Sequence, residues 1–176
     1  MLDSLITSKT RLKLLMKFFI NSNTTAYLRN LATEFGESTN GIRQELNRLE
    51  DANLLESESI QNKKVYHANT KHPYFGDIHH LLLKYVGIDQ IVDELVKRVG
   101  NLEKAFITND FAQGKPGNII DLILVGKNFD DAYINLLVHK AEENVSFKIR
   151  YITVTTVELP QYISDNTKSL LVWTAE

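Results

Sequence analysis

The stretch that decides the fold is Ser38-Thr39-Asn40-Gly41-Ile42-Arg43-Gln44-Glu45-Leu46-Asn47-Arg48-Leu49-Glu50-Asp51-Ala52. Ile42, Leu46 and Leu49 recur at helical spacing, and Ser38 is of a type that accepts a bond from the first-turn N–H groups. A helix is therefore predicted from Ser38 to about Ala52, with Asn53 stopping it. Its opposite face carries Asn40, Arg43, Gln44 and Asn47, at offsets of zero, three, four and seven. Those types suit base edges in a major groove: Arg toward guanine O6 and N7, Asn or Gln toward adenine N6 and N7. Thr39 and Arg48 flank that stripe within reach of phosphates, and the unpaired N–H groups of the helix start favour an anion as well. Glu45 and Glu50 fall toward the flanks.

Upstream, Ser8 begins a helix from about Lys9 to Ile20, with Leu12, Leu15, Met16 and Phe19 on one stripe. The polar run from Asn21 to Thr25 reads as a turn, and a second helix is predicted from Ala26 to Phe35. Gly36 then stands where a left-handed residue ends a helix. Downstream, Leu54 to Ile60 and Val65 to Ala68 alternate as strands around Gln61-Asn62-Lys63-Lys64, which places Lys63 and Lys64 at a ribbon tip. Helix, four-residue turn, helix and two-stranded ribbon is the order of a winged helix-turn-helix.

Residues 9 to 70 resemble the winged-helix domains of bacterial arsenic-repressor-like regulators. The likeness is carried by Arg29-Asn-Leu-Ala-Thr-Glu-Phe35, Thr39-Asn-Gly-Ile-Arg-Gln-Glu-Leu46 and Asn47-Arg-Leu-Glu-Asp-Ala-Asn-Leu-Leu55. Asn53 occupies the place of that family's Gly, a substitution that Asn tolerates because it adopts positive φ. The family's Cys/His metal-sensor motifs are missing, so metal sensing does not carry over. The resemblance implies a homodimer on two-fold symmetric half-sites of double-stranded DNA.

Composition agrees with a globular chain: 43% of its 176 residues are apolar and 24% are charged. Cysteine is absent, which removes thiol catalysis and thiolate metal sites and fits a reducing compartment. The longest apolar run near the start is broken by Lys17, so no signal peptide or membrane span is expected and the localisation read is cytoplasmic. The net charge of −2 hides an asymmetry. Residues 1–87 hold 11 Lys/Arg against 9 Asp/Glu, whereas residues 88–176 hold 9 against 13. The basic excess lies in the half that carries the helix-turn-helix pattern.

After His72-Pro73, helices are expected from Tyr74 to Val86 and from Asp89 to Val99. Strands follow at Lys104–Thr108 and Ile119–Val125, then a helix from Phe129 to Asn144 and a strand from Phe147 to Val157. Leu170 to Trp173 reads as an edge strand or a docking tail. Residues 102 to 157 resemble minimal nucleotidyltransferase domains of the DNA-polymerase-beta type. There, a Gly-Ser turn cradles phosphates and paired carboxylates hold divalent ions. Asn109-Asp110-Phe111-Ala112-Gln113-Gly114 and Asn118-Ile119-Ile120-Asp121-Leu122 occupy the two motif positions. Asn109 replaces the Gly, Asp110 the Ser and Ile119 the first carboxylate, leaving Asp121 alone of the pair. One carboxylate does not hold two Mg²⁺ ions, and Asp110 repels a triphosphate. A vestigial pocket at Asn109, Asp110 and Asp121, with no catalytic residue, no metal and no cofactor, is the expectation.

His67, His72, His79, His80 and His139 lack the spacing of a metal site and read as surface or capping residues. The expected architecture is α+β. It comprises a winged-helix DNA-binding domain at 1–72, connecting or dimerising helices at 73–99 and a degenerate nucleotidyltransferase-like domain at 100–176. The expected function is sequence-specific transcriptional regulation, as a repressor, by a pseudoenzyme whose second domain serves assembly or senses a small molecule or nucleotide. The alternatives are an active or residual nucleotidyltransferase carrying a DNA-binding module, and a protein–protein adaptor.

Overall fold

The Ile42–Leu46–Leu49 stripe is buried and forms one wall of a core shared by three helices and a small sheet. A computed structural model of the chain describes residues 5–99, 102–115, 117–163 and 168–175. It is an α+β protein with two separate sheets. Contacts divide it into two units, Met1–Leu82 with Gly114–Pro116, and Leu83–Gln113 with Gly117–Glu176.

In the first unit, α1 (Lys9–Leu15) is capped by Ser8, whose Oγ accepts from the Arg11 N–H. The expected helix to Ile20 changes pitch: Met16–Ile20 is a π-helical turn. The consecutive side chains Lys17, Phe18, Phe19 and Ile20 are all buried in that turn. The Lys17 ammonium is neutralised by Glu34 at 2.9 Å. The Phe19 carbonyl, in the last turn, receives the Nδ1–H of His79 at 2.7 Å. Then come β1 (Thr25–Tyr27), α2 (Leu28–Phe35), α3 (Thr39–Asp51), β2 (Leu55–Ile60) and β3 (Lys63–Ala68).

Two further boundaries in this unit differ from the sequence reading. Thr25–Tyr27, expected as turn and helix start, is a strand paired antiparallel to β3 with Ala26 opposite Tyr66. Its backbone groups complete a three-stranded sheet in the order β1-β3-β2, so α2 begins only at Leu28. The hairpin turn is Gln61-Asn62 alone, both residues at positive φ, as a two-residue turn of the primed type demands. Lys63 and Lys64 therefore open β3, opposite Ile60 and Ser59, instead of lying at the tip. Gly36 ends α2 at φ 65°, and Asn53 follows α3 at φ 56°, the left-handed positions expected of them.

α4 (Phe75–Tyr85) and α5 (Ile88–Val99) lead into the second unit, whose strands are β4 (Leu102–Thr108), β5 (Ile119–Gly126), β6 (Lys148–Val154) and β7 (Ser169–Thr174). They order as β6-β5-β4-β7, with β5 and β6 parallel and the remaining pairs antiparallel. Leu170–Trp173 is thus an edge strand. α6 (Asn109–Ala112) is a single turn after β4. α7 (Asp131–Asn144), capped by the Asp130 carboxylate, connects the parallel pair, and α8 (Leu159–Tyr162) follows β6. The strand expected to Val157 stops at Val154, because Glu158 folds back to accept from the Thr155 N–H and hydroxyl. Alternation along β5 places Ile120, Leu122 and Leu124 on one face and Asp121, Ile123 and Val125 on the other. Ile123, Val125 and Val154 form a core with Phe106, Leu159 and Ile163. Among the described residues no helix is long and apolar enough to cross a membrane.

Leu46 is fully buried on α3. Leu46→Ala should therefore cost about 2–5 kcal/mol, read as a lower urea midpoint at unchanged slope for the N-terminal unit's transition.

Candidate functional site

Each residue of an α-helix advances by about 100° around the axis, so the dry stripe of α3 fixes what its other side presents. Thr39, Asn40, Arg43, Gln44, Asn47 and Arg48 are all exposed. Among the described residues, the side chains of Asn40, Arg43, Gln44 and Asn47 have no hydrogen-bond or ionic partner. Asp51, also exposed, ends that face at the last helical residue. Ser38 caps the helix by accepting from the Gly41 N–H at 3.2 Å.

The two flanks of α3 are tied down by carboxylates. On one, Glu45 is 7% exposed and receives the Ser8 hydroxyl at 3.0 Å, Arg11 Nε at 2.8 Å and an Arg48 amine at 2.9 Å. On the other, Glu50 receives the Ser57 hydroxyl of β2 and the Lys64 ammonium of β3 at 2.6 Å. Burial pushes the Glu45 carboxyl up, but the bonds from Arg11 and Ser8 and the charges of Arg11 and Arg48 outweigh it and hold it below its ordinary value. The bonds from Lys64 and Ser57 likewise hold Glu50 down. Lys64 is thus committed to α3. Lys63, with its Nζ 6.0 Å from the centre of the Tyr27 ring, remains on the exposed surface.

In the second unit, Asn109 and Asp121 meet: Asn109 Nδ2 donates to Asp121 Oδ2 at 2.8 Å, and Asn109 holds a left-handed φ of 62°. Register places Arg150 of β6 beside Asp121, and its Nε and a terminal amine both lie 2.7 Å from Oδ1. Burial raises the Asp121 carboxyl, yet the Arg150 and Asn109 bonds and the Arg150 charge more than offset this and leave it lowered. Thr108, Tyr151 and Tyr162 join these three in lining a pocket of about 440 Å³. Asp110, the second residue of α6, is exposed and outside that lining. These residues do not suit a divalent-ion site. Both oxygens of the Asp121 carboxylate are engaged, and a guanidinium stands against it. Among the described residues no three His, Asp or Glu side chains cluster as metal ligands do.

Comparison of the chain with protein-family models, with curated proteins and with solved structures yields no match. The geometry of these residues is therefore what bears on function.

Sequence spacing does not single out Glu45, Arg11 or Arg150 as site residues. The Glu45–Arg48 contact has helical i,i+3 spacing and is legible from it. Glu45 and Arg11 lie 34 residues apart, and Asp121 and Arg150 lie 29 apart, so only the tertiary fold joins them.

Glu37, tied to Lys13 and Thr10, is also lowered, with burial again opposing those bonds. A carboxyl lowered on folding adds stability that is complete above the ordinary glutamate value of 4.5 and is lost as pH falls through the folded values. The urea midpoint of the N-terminal unit should hold steady above that value and drop below it, with a shallower drop in Glu45→Gln.

Proposed function

We propose that this chain is a sequence-specific DNA-binding transcriptional regulator, acting as a repressor and working as a homodimer. Residues 9–70 serve as a winged helix-turn-helix, and α3 enters the major groove. One observation carries the reading: the amide and guanidinium groups of Asn40, Arg43, Gln44 and Asn47 are exposed on one face with no partner among the described residues, while the same helix's Glu45, Arg48 and Glu50 are engaged on its flanks. A merely solvated helix face has no need of donors and acceptors matched to base edges, or of a roll fixed on both sides. Arg43, Gln44 and Asn47 are assigned base contacts, with Asn40 beside them. Thr39, Arg48 and Lys63 are assigned the backbone. Lys64 acts mainly by fastening the ribbon to α3.

The second unit is proposed to be a nucleotidyltransferase-like module without catalysis, serving assembly or the sensing of a small molecule or nucleotide in the pocket beside Asp121. The Arg150–Asp121 pair supports the loss of the reaction, because the carboxylate that would hold a metal is already neutralised from within. An adaptor that binds only protein is the competing reading. It predicts no salt-dependent DNA association, whereas phosphate contacts make affinity fall steeply as salt rises.

Two measurements check the proposal. Once bound fragments define an operator, Arg43→Ala should lose about 1–3 kcal/mol of affinity and relax discrimination at one base pair. An operator affinity equal to wild type rejects the contact. Separately, incubation with labelled nucleotide, Mg²⁺ and nucleic-acid or protein acceptors should show no incorporation. Incorporation that disappears in Asp121→Ala establishes an enzyme instead.

A further inference from the structure

A buried acid on the flank of a helix proposed to face DNA is electrostatically unfavourable for that task unless it organises something. Glu45 is such an acid, and its ligands show what it organises. Its Oε2 accepts from Arg11 Nε at 2.8 Å, while Oε1 accepts from Arg48 at 2.9 Å, from the Ser8 hydroxyl at 3.0 Å and, at 3.4 Å, from a second Arg11 nitrogen. Two guanidiniums therefore converge on one carboxylate and leave a net single positive charge. Both remain accessible: the Arg48 side chain is 62% exposed and that of Arg11 is 34% exposed. Each guanidinium has five N–H donors in a planar fork, so Glu45 uses only part of either.

The location fits one class of partner. Arg48 stands one helical turn after Gln44 on the same edge of α3, so it borders the face assigned to base contacts. Arg11 lies in the first turn of α1, which Ser8 ties to the same carboxylate. A long flexible arginine loses rotamer freedom when it binds a phosphate, and a buried carboxylate that has already ordered two of them removes part of that cost.

We propose that Arg11 and Arg48, held by Glu45, form a clamp on a single DNA backbone phosphate beside the bases read by α3. Glu45 is its positioning residue. This rests on the DNA-binding reading above. The clamp fixes the register of α3 in the groove, since phosphate contacts orient a protein on the duplex while base contacts discriminate sequence. The net charge of one matches one phosphate, so the two arginines act as a unit.

The test uses the full chain and a mixed-sequence B-form duplex, with affinity measured across a salt series. Arg11→Ala and Arg48→Ala should each lower the salt slope by about 0.9, the value for one phosphate contact. The double variant should lower it scarcely further, because both serve the same phosphate. Glu45→Gln should lower slope and affinity although it removes a negative charge, whereas simple electrostatics predicts tighter binding. Arg11→Lys keeps the charge but not the fork; it should keep a near-wild-type slope yet bind more weakly, and it carries the test if Glu45→Gln fails to fold. Wild-type slopes in both alanine variants, wild-type affinity in Arg11→Lys, or tighter binding by a folded Glu45→Gln overturn the clamp and leave the function reading intact. A wild-type chain that does not bind duplex even at low salt overturns the function reading, and the clamp with it.

Discussion

Burial of Ile42, Leu46 and Leu49 sets the roll of α3, and nearly everything else in the N-terminal unit follows from that orientation. Once three side chains at helical spacing are dry, the residues between them have fixed directions. Glu45 is then turned toward α1 and Glu50 toward the ribbon, and each finds hydroxyl and cationic partners there. The two carboxylates, each bonded to a different neighbouring element, resist rotation of the helix about its axis. The stripe holds the helix in place and the flanking pairs hold its angle.

That arrangement also distinguishes the polar groups of α3. Side chains at the flanks are bonded within the molecule, whereas those of Asn40, Arg43, Gln44 and Asn47 at the crest have no partner among the described residues. An exposed helix with charges scattered at random would form i,i+4 pairs along its crest. Here the crest bears neutral amides and one guanidinium until Asp51, and the acids are drawn off to the sides. The proposed DNA-reading role uses this separation. Specific contacts need donors and acceptors that are not already engaged, while positioning contacts gain from side chains ordered before the partner arrives.

Local signals make the helices legible. Ser38 as cap, Gly36 and Asn53 at left-handed positions and the buried stripe of α3 can all be read within a few residues. Long-range pairing cannot. The strand at Thr25–Tyr27 exists because β3 offers it an edge, and a three-residue segment has no periodicity of its own. The ribbon turn reads two residues too long in the sequence, since Gln61 and Asn62 both adopt positive φ without a glycine to announce it. The candidate surface face is visible from spacing alone. The Arg11–Glu45 and Asp121–Arg150 contacts are not, because each depends on elements that meet only after folding.

The second unit carries a related lesson about charge. A lone carboxylate at Asp121 in the sequence leaves open whether it holds a cation. The register between β5 and β6 supplies that cation from within, through Arg150. A site that neutralises itself has no electrostatic demand for a metal, which is why the module is proposed to assist regulation instead of catalysing a reaction.

The proposed DNA recognition depends above all on the crest of α3 being the surface that meets the duplex. Backbone amide and side-chain NMR shifts recorded as a duplex is titrated into the full chain test this directly. The largest changes are predicted at Asn40, Arg43, Gln44 and Asn47, with smaller ones at Lys63 and Arg48. Shifts confined to the C-terminal unit, with those of α3 unmoved at saturating duplex, would contradict it.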